Sequence, residues 1–91
     1  MALGVYFTNR NFTPERYEEA LRQLDAAGAG SPKGRSYHVG FEQDGEIIVF
    51  DIWESQEEFE AFGATLIPIL TGLGVEVVQP VIGPVHNIIV G

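Results

Sequence analysis

A histidine and an aspartate that face each other across a hairpin are the residues of this chain best placed to do chemistry. Asp44-Gly45 separates two β-rich runs, from Gly34 and up to Trp53, and a two-residue type I′ turn there needs positive φ at both central positions, which this dipeptide tolerates. Counting outward from Gln43 opposite Glu46 sets Phe41 against Ile48, Val39 against Phe50 and Tyr37 against Ile52, and brings His38 opposite Asp51. A non-hydrogen-bonded pair of this kind has its Cα atoms about 4.5 to 5.5 Å apart, within reach of an imidazole N–H donating to a carboxylate. Such a contact fixes the tautomer and raises the basicity of the other ring nitrogen, as a general base requires. The same pair serves equally well to pin strand register. A three-residue turn with Gly45 in a bulge would separate the two residues, and the apolar matching of the other pairs disfavours it.

Tyr6, Ser36 and Trp53 are candidates to line the same pocket, Trp53 by stacking on a flat ligand and Tyr6 by offering a hydroxyl. Aromatic side chains at strand ends also serve as core or interface anchors. His86 is a further candidate ligand-binding residue, and whether it would reach the cavity from a partner subunit is left open by the sequence. A metal site from His38, Asp51 and His86 within one chain fails, because the second and fourth strands of the sheet expected below lie about 14 Å apart. No metal and no cofactor is expected; neither helix carries a histidine to serve as an axial haem ligand.

These residues need a frame. Leu3 to Thr8 is short and β-rich; Thr13 then suits an N-cap, with Pro14 at the first helical position and Glu15 in the positive first turn. Tyr17, Ala20, Leu21 and Leu24 recur at helical spacing, so the first helix spans about Pro14 to Ala27. Gly28 to Gly34 forms a loop, with Lys33 and Arg35 beside it as the only concentrated positive charge. Ser55-Gln56-Glu57-Glu58 is a capping box before a stripe of Phe59, Phe62, Leu66, Ile69 and Leu70. Pro68 predicts a kink or break near Ile67. The last strand either lies at a sheet edge or begins only at Val85, because of Pro80 and Pro84.

The order β-α-β-β-α-β in a single domain spanning 1–91 predicts an α+β, ferredoxin-like fold: a four-stranded antiparallel sheet with both helices on one face. The sheet is roughly 19 Å wide, and two helices of about 10 Å each cover it only once. Alternation suggests that Leu3, Val5 and Phe7 join Tyr37, Val39, Phe41, Ile48, Phe50 and Ile52 beneath the helices. Gly4, Tyr6, Thr8, His38, Val49, Asp51 and Trp53 would then form the bare face, to be covered by a second copy with a cavity between. A domain this small buries only about 60 to 65% of its unfolded surface, and a homodimer would extend that.

The element order, the length and the run Trp53-Glu54-Ser55-Gln56-Glu57-Glu58-Phe59-Glu60-Ala61-Phe62 resemble the dimeric α/β-barrel superfamily, which includes the antibiotic biosynthesis monooxygenase-like proteins. The resemblance implies a homodimeric barrel with a ligand cavity. It implies no single activity, since members include cofactor-free oxygenases, isomerases and cyclases.

Composition narrows the partners. Thirteen acidic residues against five basic ones give a net charge of −8, which repels phosphate backbones and anionic membranes. Nucleic acid and membrane are not expected partners; a small organic ligand is. No cysteine is present, no apolar run approaches the roughly 20 residues of a membrane span, and the start lacks a basic leader region, so a soluble, cytoplasmic protein is expected. The functional expectation is a homodimeric barrel that binds an apolar or aromatic compound, as a cofactor-independent oxygenase or an isomerase or cyclase in which His38 abstracts a proton and Asp51 orients it. The alternative is a non-catalytic binding or interaction protein of the same fold.

Overall fold

The computed structural model describes residues 2–91. In chain order it contains β1 (Leu3–Phe7), α1 (Pro14–Ala26), β2 (Arg35–Gln43), β3 (Glu46–Trp53), α2 (Gln56–Gly72) and β4 (Val81–Pro84). The strands form one antiparallel sheet in the order β2-β3-β1-β4, the α+β, ferredoxin-like arrangement.

Local chemistry sets most of the boundaries. Thr13 caps α1 by accepting from the Arg16 amide at 3.2 Å, with Pro14 as the first helical residue. At α2, Ser55 Oγ accepts from the Glu58 amide and donates to the Glu58 carboxylate at 2.9 Å, a capping box closed through the side chains. Asp44 and Gly45 have φ of 52° and 83°, the two positive values of a two-residue hairpin turn. The pairs Tyr37–Ile52, His38–Asp51, Val39–Phe50 and Phe41–Ile48 all form. Pro68 does not break α2, which continues to Gly72. Proline removes the amide that would bond to the carbonyl four residues earlier; Pro68 and Ala64 are both on the exposed side, so the freed group is open to solvent. β4 is an edge strand, and no regular strand follows it.

β1 faces as expected, with Val5 and Phe7 beneath the helices and Tyr6 on the open side, but β2 and β3 are reversed from the expectation: Tyr37, Val39, Phe41, Ile48, Phe50 and Ile52 lie on the open face, and His38, Val49, Asp51 and Trp53 on the helix side. Val5 lies opposite Asp51 and Phe7 opposite Val49, so β1 turns Val5 and Phe7 to the same side as Ile47, Val49, Asp51 and Trp53. These six are buried beneath the helices. Tyr6 lies opposite Phe50, and the open face carries Tyr6, Tyr37, Phe41 and their neighbours. The physical reason is register: β1 and β3 are joined through a helix rather than a tight turn, and one residue of slip carries a whole strand's side chains to the other face. The core beneath the helices adds Phe12, Ala20, Leu24, Phe62, Leu70 and Val75. No helix among the described residues is long and apolar enough to cross a membrane.

Candidate functional site

The helix side of the sheet holds a polar chain inside apolar surroundings. β3 supplies Asp51 and, two residues on and therefore on the same face, Trp53. β2 supplies His38, and α1 supplies Tyr17. His38 Nδ1 lies 2.6 Å from Asp51 Oδ1, and the Trp53 indole donates to Asp51 Oδ2 at 3.2 Å. The Tyr17 hydroxyl is 2.7 Å from His38 Nε2. As a carboxylate, Asp51 only accepts, which leaves the proton on Nδ1 of His38. The neutral imidazole then takes the Tyr17 O–H at Nε2; a protonated one donates there instead.

Burial is graded along the chain. Trp53 is fully buried, the Asp51 side chain is 3% exposed and the His38 side chain 23%. Every buried side-chain nitrogen and oxygen among the described residues has a partner, as a polar group inside an apolar layer requires.

Three features place Tyr17. Its ring runs nearly parallel to the imidazole, at 7°, and Phe12 meets it edge-on with centroids 5.7 Å apart. Gly40 provides its floor, because a Cβ at that position would fall 3.2 Å from the phenol Cζ and oxygen. Burial pushes the Tyr17 phenol above its ordinary value; Glu18 and Asp51 push the same way, and Arg35 pulls against them.

An apolar cavity of about 40 Å³ adjoins the group, lined by His38, Asp51, Tyr17, Asn9 and Arg35 among side chains such as Phe12, Leu24 and Leu70. That volume holds a water or two and is below what an organic ligand occupies. Arg35 stands over the Phe62 ring at 5.7 Å and reaches back to the Gly30 carbonyl at 3.4 Å. The Gly28 to Gly34 loop is thus tied to the cavity wall. Asn9 accepts from the Val78 amide at 2.8 Å.

The other sequence candidates fall elsewhere. Tyr6 is on the open face, away from His38. Ser36 sits at a register irregularity in β2, exposed, with its hydroxyl donating to the Ile52 carbonyl at 3.3 Å. Trp53 touches Asp51 and packs on Phe59 and Phe62 without lining the cavity. His86 borders a broad recess on the open face with Tyr37, Val39, Phe50 and the C-terminal residues. Among the described residues no three His, Asp or Glu side chains cluster closely enough to hold a metal ion. In the sequence Tyr17 is marked only as part of a helical stripe; what sets it apart is a hydroxyl on that stripe facing a glycine on β2.

No protein family profile matches the chain, and no curated protein does. Solved structures do. The cofactor-independent oxygenase SnoaB from Streptomyces nogalater superposes with a TM-score of 0.61 at 16% identity, over 96% of this chain and 93% of that one. A protein from Chloroflexus aurantiacus J-10-fl, described as a candidate antibiotic biosynthesis monooxygenase, gives 0.64 at 19% identity over 100% of both chains. A conserved protein from Methanosarcina mazei Go1 gives 0.57 at 14% identity, over 91% of this chain and 89% of that one. At such identities the likeness is one of architecture, and from end to end this chain has the ferredoxin-like fold of the antibiotic biosynthesis monooxygenase-like proteins.

Proposed function

We propose that this chain is a homodimeric, small-molecule-binding protein that removes a proton from an apolar or aromatic compound, with His38 as base and Asp51 as the group that orients it. The observation that carries the reading is the part-buried Asp51–His38 hydrogen bond at 2.6 Å beside an apolar cavity. A carboxylate on Nδ1 leaves the Nε2 lone pair as the basic site, and the apolar lining favours a ligand whose acidity lies in one C–H or O–H rather than in a formal charge. A carbanion formed there is electron-rich enough to pass an electron directly to dioxygen, the route open to chemistry without metal or flavin. The likeness of fold to a cofactor-independent oxygenase supports that version, and an isomerase or cyclase would begin with the same proton removal. An organic ligand needs more room than this cavity offers, so its entry requires the cavity walls to move outward.

The homodimer is supported by the open face, where Tyr37 is 52% and Phe41 47% exposed on a sheet whose other side is already covered. A second copy packed there would remove this apolar surface from water.

The test is exchange of the acidic C–H of enolisable aromatic ketones in heavy water, followed by NMR. His38→Ala is expected to abolish exchange above the solvent rate while the protein stays folded. Unchanged exchange in that variant ends the catalytic reading. The alternative, a non-catalytic binding or interaction protein, is favoured by the small cavity and by the hydroxyl already seated on Nε2. It predicts that His38→Ala loses stability or self-association with no catalysis to lose.

A further inference from the structure

The base in the proposed site does not present a free lone pair: the position a ligand proton would take on Nε2 is filled by the Tyr17 hydroxyl at 2.7 Å. Three features cooperate to keep it there. α1 carries the phenol, β2 carries the imidazole, and the missing side chain of Gly40 lets the phenol lie against the strand. Phe12 holds its far edge. A tyrosine that merely filled core would not need its oxygen aimed at a ring nitrogen, and one that merely satisfied His38 would not need to line the cavity as well.

Resting on the proton-abstraction reading above, we infer that Tyr17 is the catalytic residue that meets the ligand, relaying its proton to His38. In this step the ligand X–H bond breaks as a new O–H bond forms on the Tyr17 oxygen. The original Tyr17 O–H bond breaks at the same time, and its proton forms a bond to His38 Nε2. The products are a ligand anion, a neutral tyrosine and an imidazolium whose Nδ1–H still donates to Asp51. No redox partner enters, and charge is conserved: a neutral ligand and a neutral imidazole become an anion and a cation.

The arrangement assigns the ligand class more narrowly. The cavity that the Tyr17 ring lines is walled by Phe7, Phe12 and Phe62, so an aromatic acid is favoured over an aliphatic one. Aliphatic acids would leave that surface unmatched.

The test uses nitrobenzisoxazole, a planar aromatic carbon acid. Abstraction of its ring C–H breaks the N–O bond and gives a nitrile and a coloured phenolate, so the rate is read by absorbance. Wild type, His38→Ala and Tyr17→Phe are compared at one pH, with circular dichroism and thermal unfolding recorded for each. The relay predicts that both variants lose on the order of 100-fold in rate, the usual contribution of a positioned proton-transfer group. Gly40→Ala gives a second reading that leaves every proton-carrying group in place. Its new methyl displaces the phenol oxygen, and the rate is expected to fall with it. If His38→Ala loses the rate while Tyr17→Phe and Gly40→Ala keep or exceed it, the relay is overturned and direct abstraction by His38 stands. If His38→Ala is as fast as wild type, or wild type is no faster than free imidazole, the base reading fails and the relay with it.

Discussion

Trp53 donates its indole N–H to the Oδ2 of Asp51, the oxygen that His38 does not use. Both oxygens of a carboxylate buried beneath two helices are therefore occupied by ring N–H donors, one from the same strand and one from its neighbour. Trp53→Phe keeps most of the ring and removes one donor. A buried acceptor left unpaired costs about 1 to 3 kcal/mol, and the smaller ring leaves a void that adds to it. Urea denaturation is expected to show a loss of that size. A variant as stable as wild type would mean that water replaces the indole.

Alkaline stability is expected to depend on Tyr17. Its phenol is held above the ordinary value of 10.0, first by burial. Below that value both folded and unfolded chains keep the proton, and the contribution is complete. Above it the unfolded chain loses the proton first, so the folded state binds more protons and stability falls as pH rises through the folded value. Tyr17→Phe removes this dependence. Denaturation midpoints from about pH 8 to about pH 11 are expected to fall less steeply in the variant than in wild type.

The open face offers a direct test of self-association. Phe41→Asp and Tyr37→Glu place a charge where a second copy would sit, at exposed positions that carry little of the monomer's own core. The homodimer reading predicts a shift to monomer mass in light scattering, with circular dichroism unchanged. A wild-type protein that is monomeric at micromolar concentration would refute it.

Leu70 is almost fully buried and lines the cavity. Leu70→Ala is expected to cost about 2 to 5 kcal/mol, the usual range for such a deletion. It also enlarges the apolar space beside His38. Small aromatic compounds are expected to raise the melting temperature of this variant more than that of wild type, by an amount that grows with their concentration. Equal shifts in both proteins would place the binding elsewhere.

The hairpin was legible because its information is local. Asp44-Gly45 sets the turn, the turn sets the register, and the register puts His38 opposite Asp51. The helices were legible for the same reason, through Thr13, Pro14 and the Ser55–Glu58 box. What could not be read was the phase of β1 against β3, because thirty-odd residues of helix, loop and strand intervene and the alternation of Leu3, Val5 and Phe7 fits either side. That single unknown decided which face the helices cover. With it went the separation of Tyr6 from His38, and the recognition that Asp51 and Trp53 belong to the inside. Tyr17 was hidden differently. Helical spacing marks it as facing inward, but its hydroxyl acquires a partner only when α1 is laid over the one position of β2 that lacks a side chain.

The chain contains one tryptophan, and its indole nitrogen is bonded to the carboxylate that holds His38. Indole emission responds to the charge and hydrogen bonding of its immediate neighbours, so the protein carries its own optical reporter. Proton transfer, ligand entry or the loss of Tyr17 would each reach Trp53 through Asp51, and each becomes visible as a change in intrinsic fluorescence without a label or a known substrate.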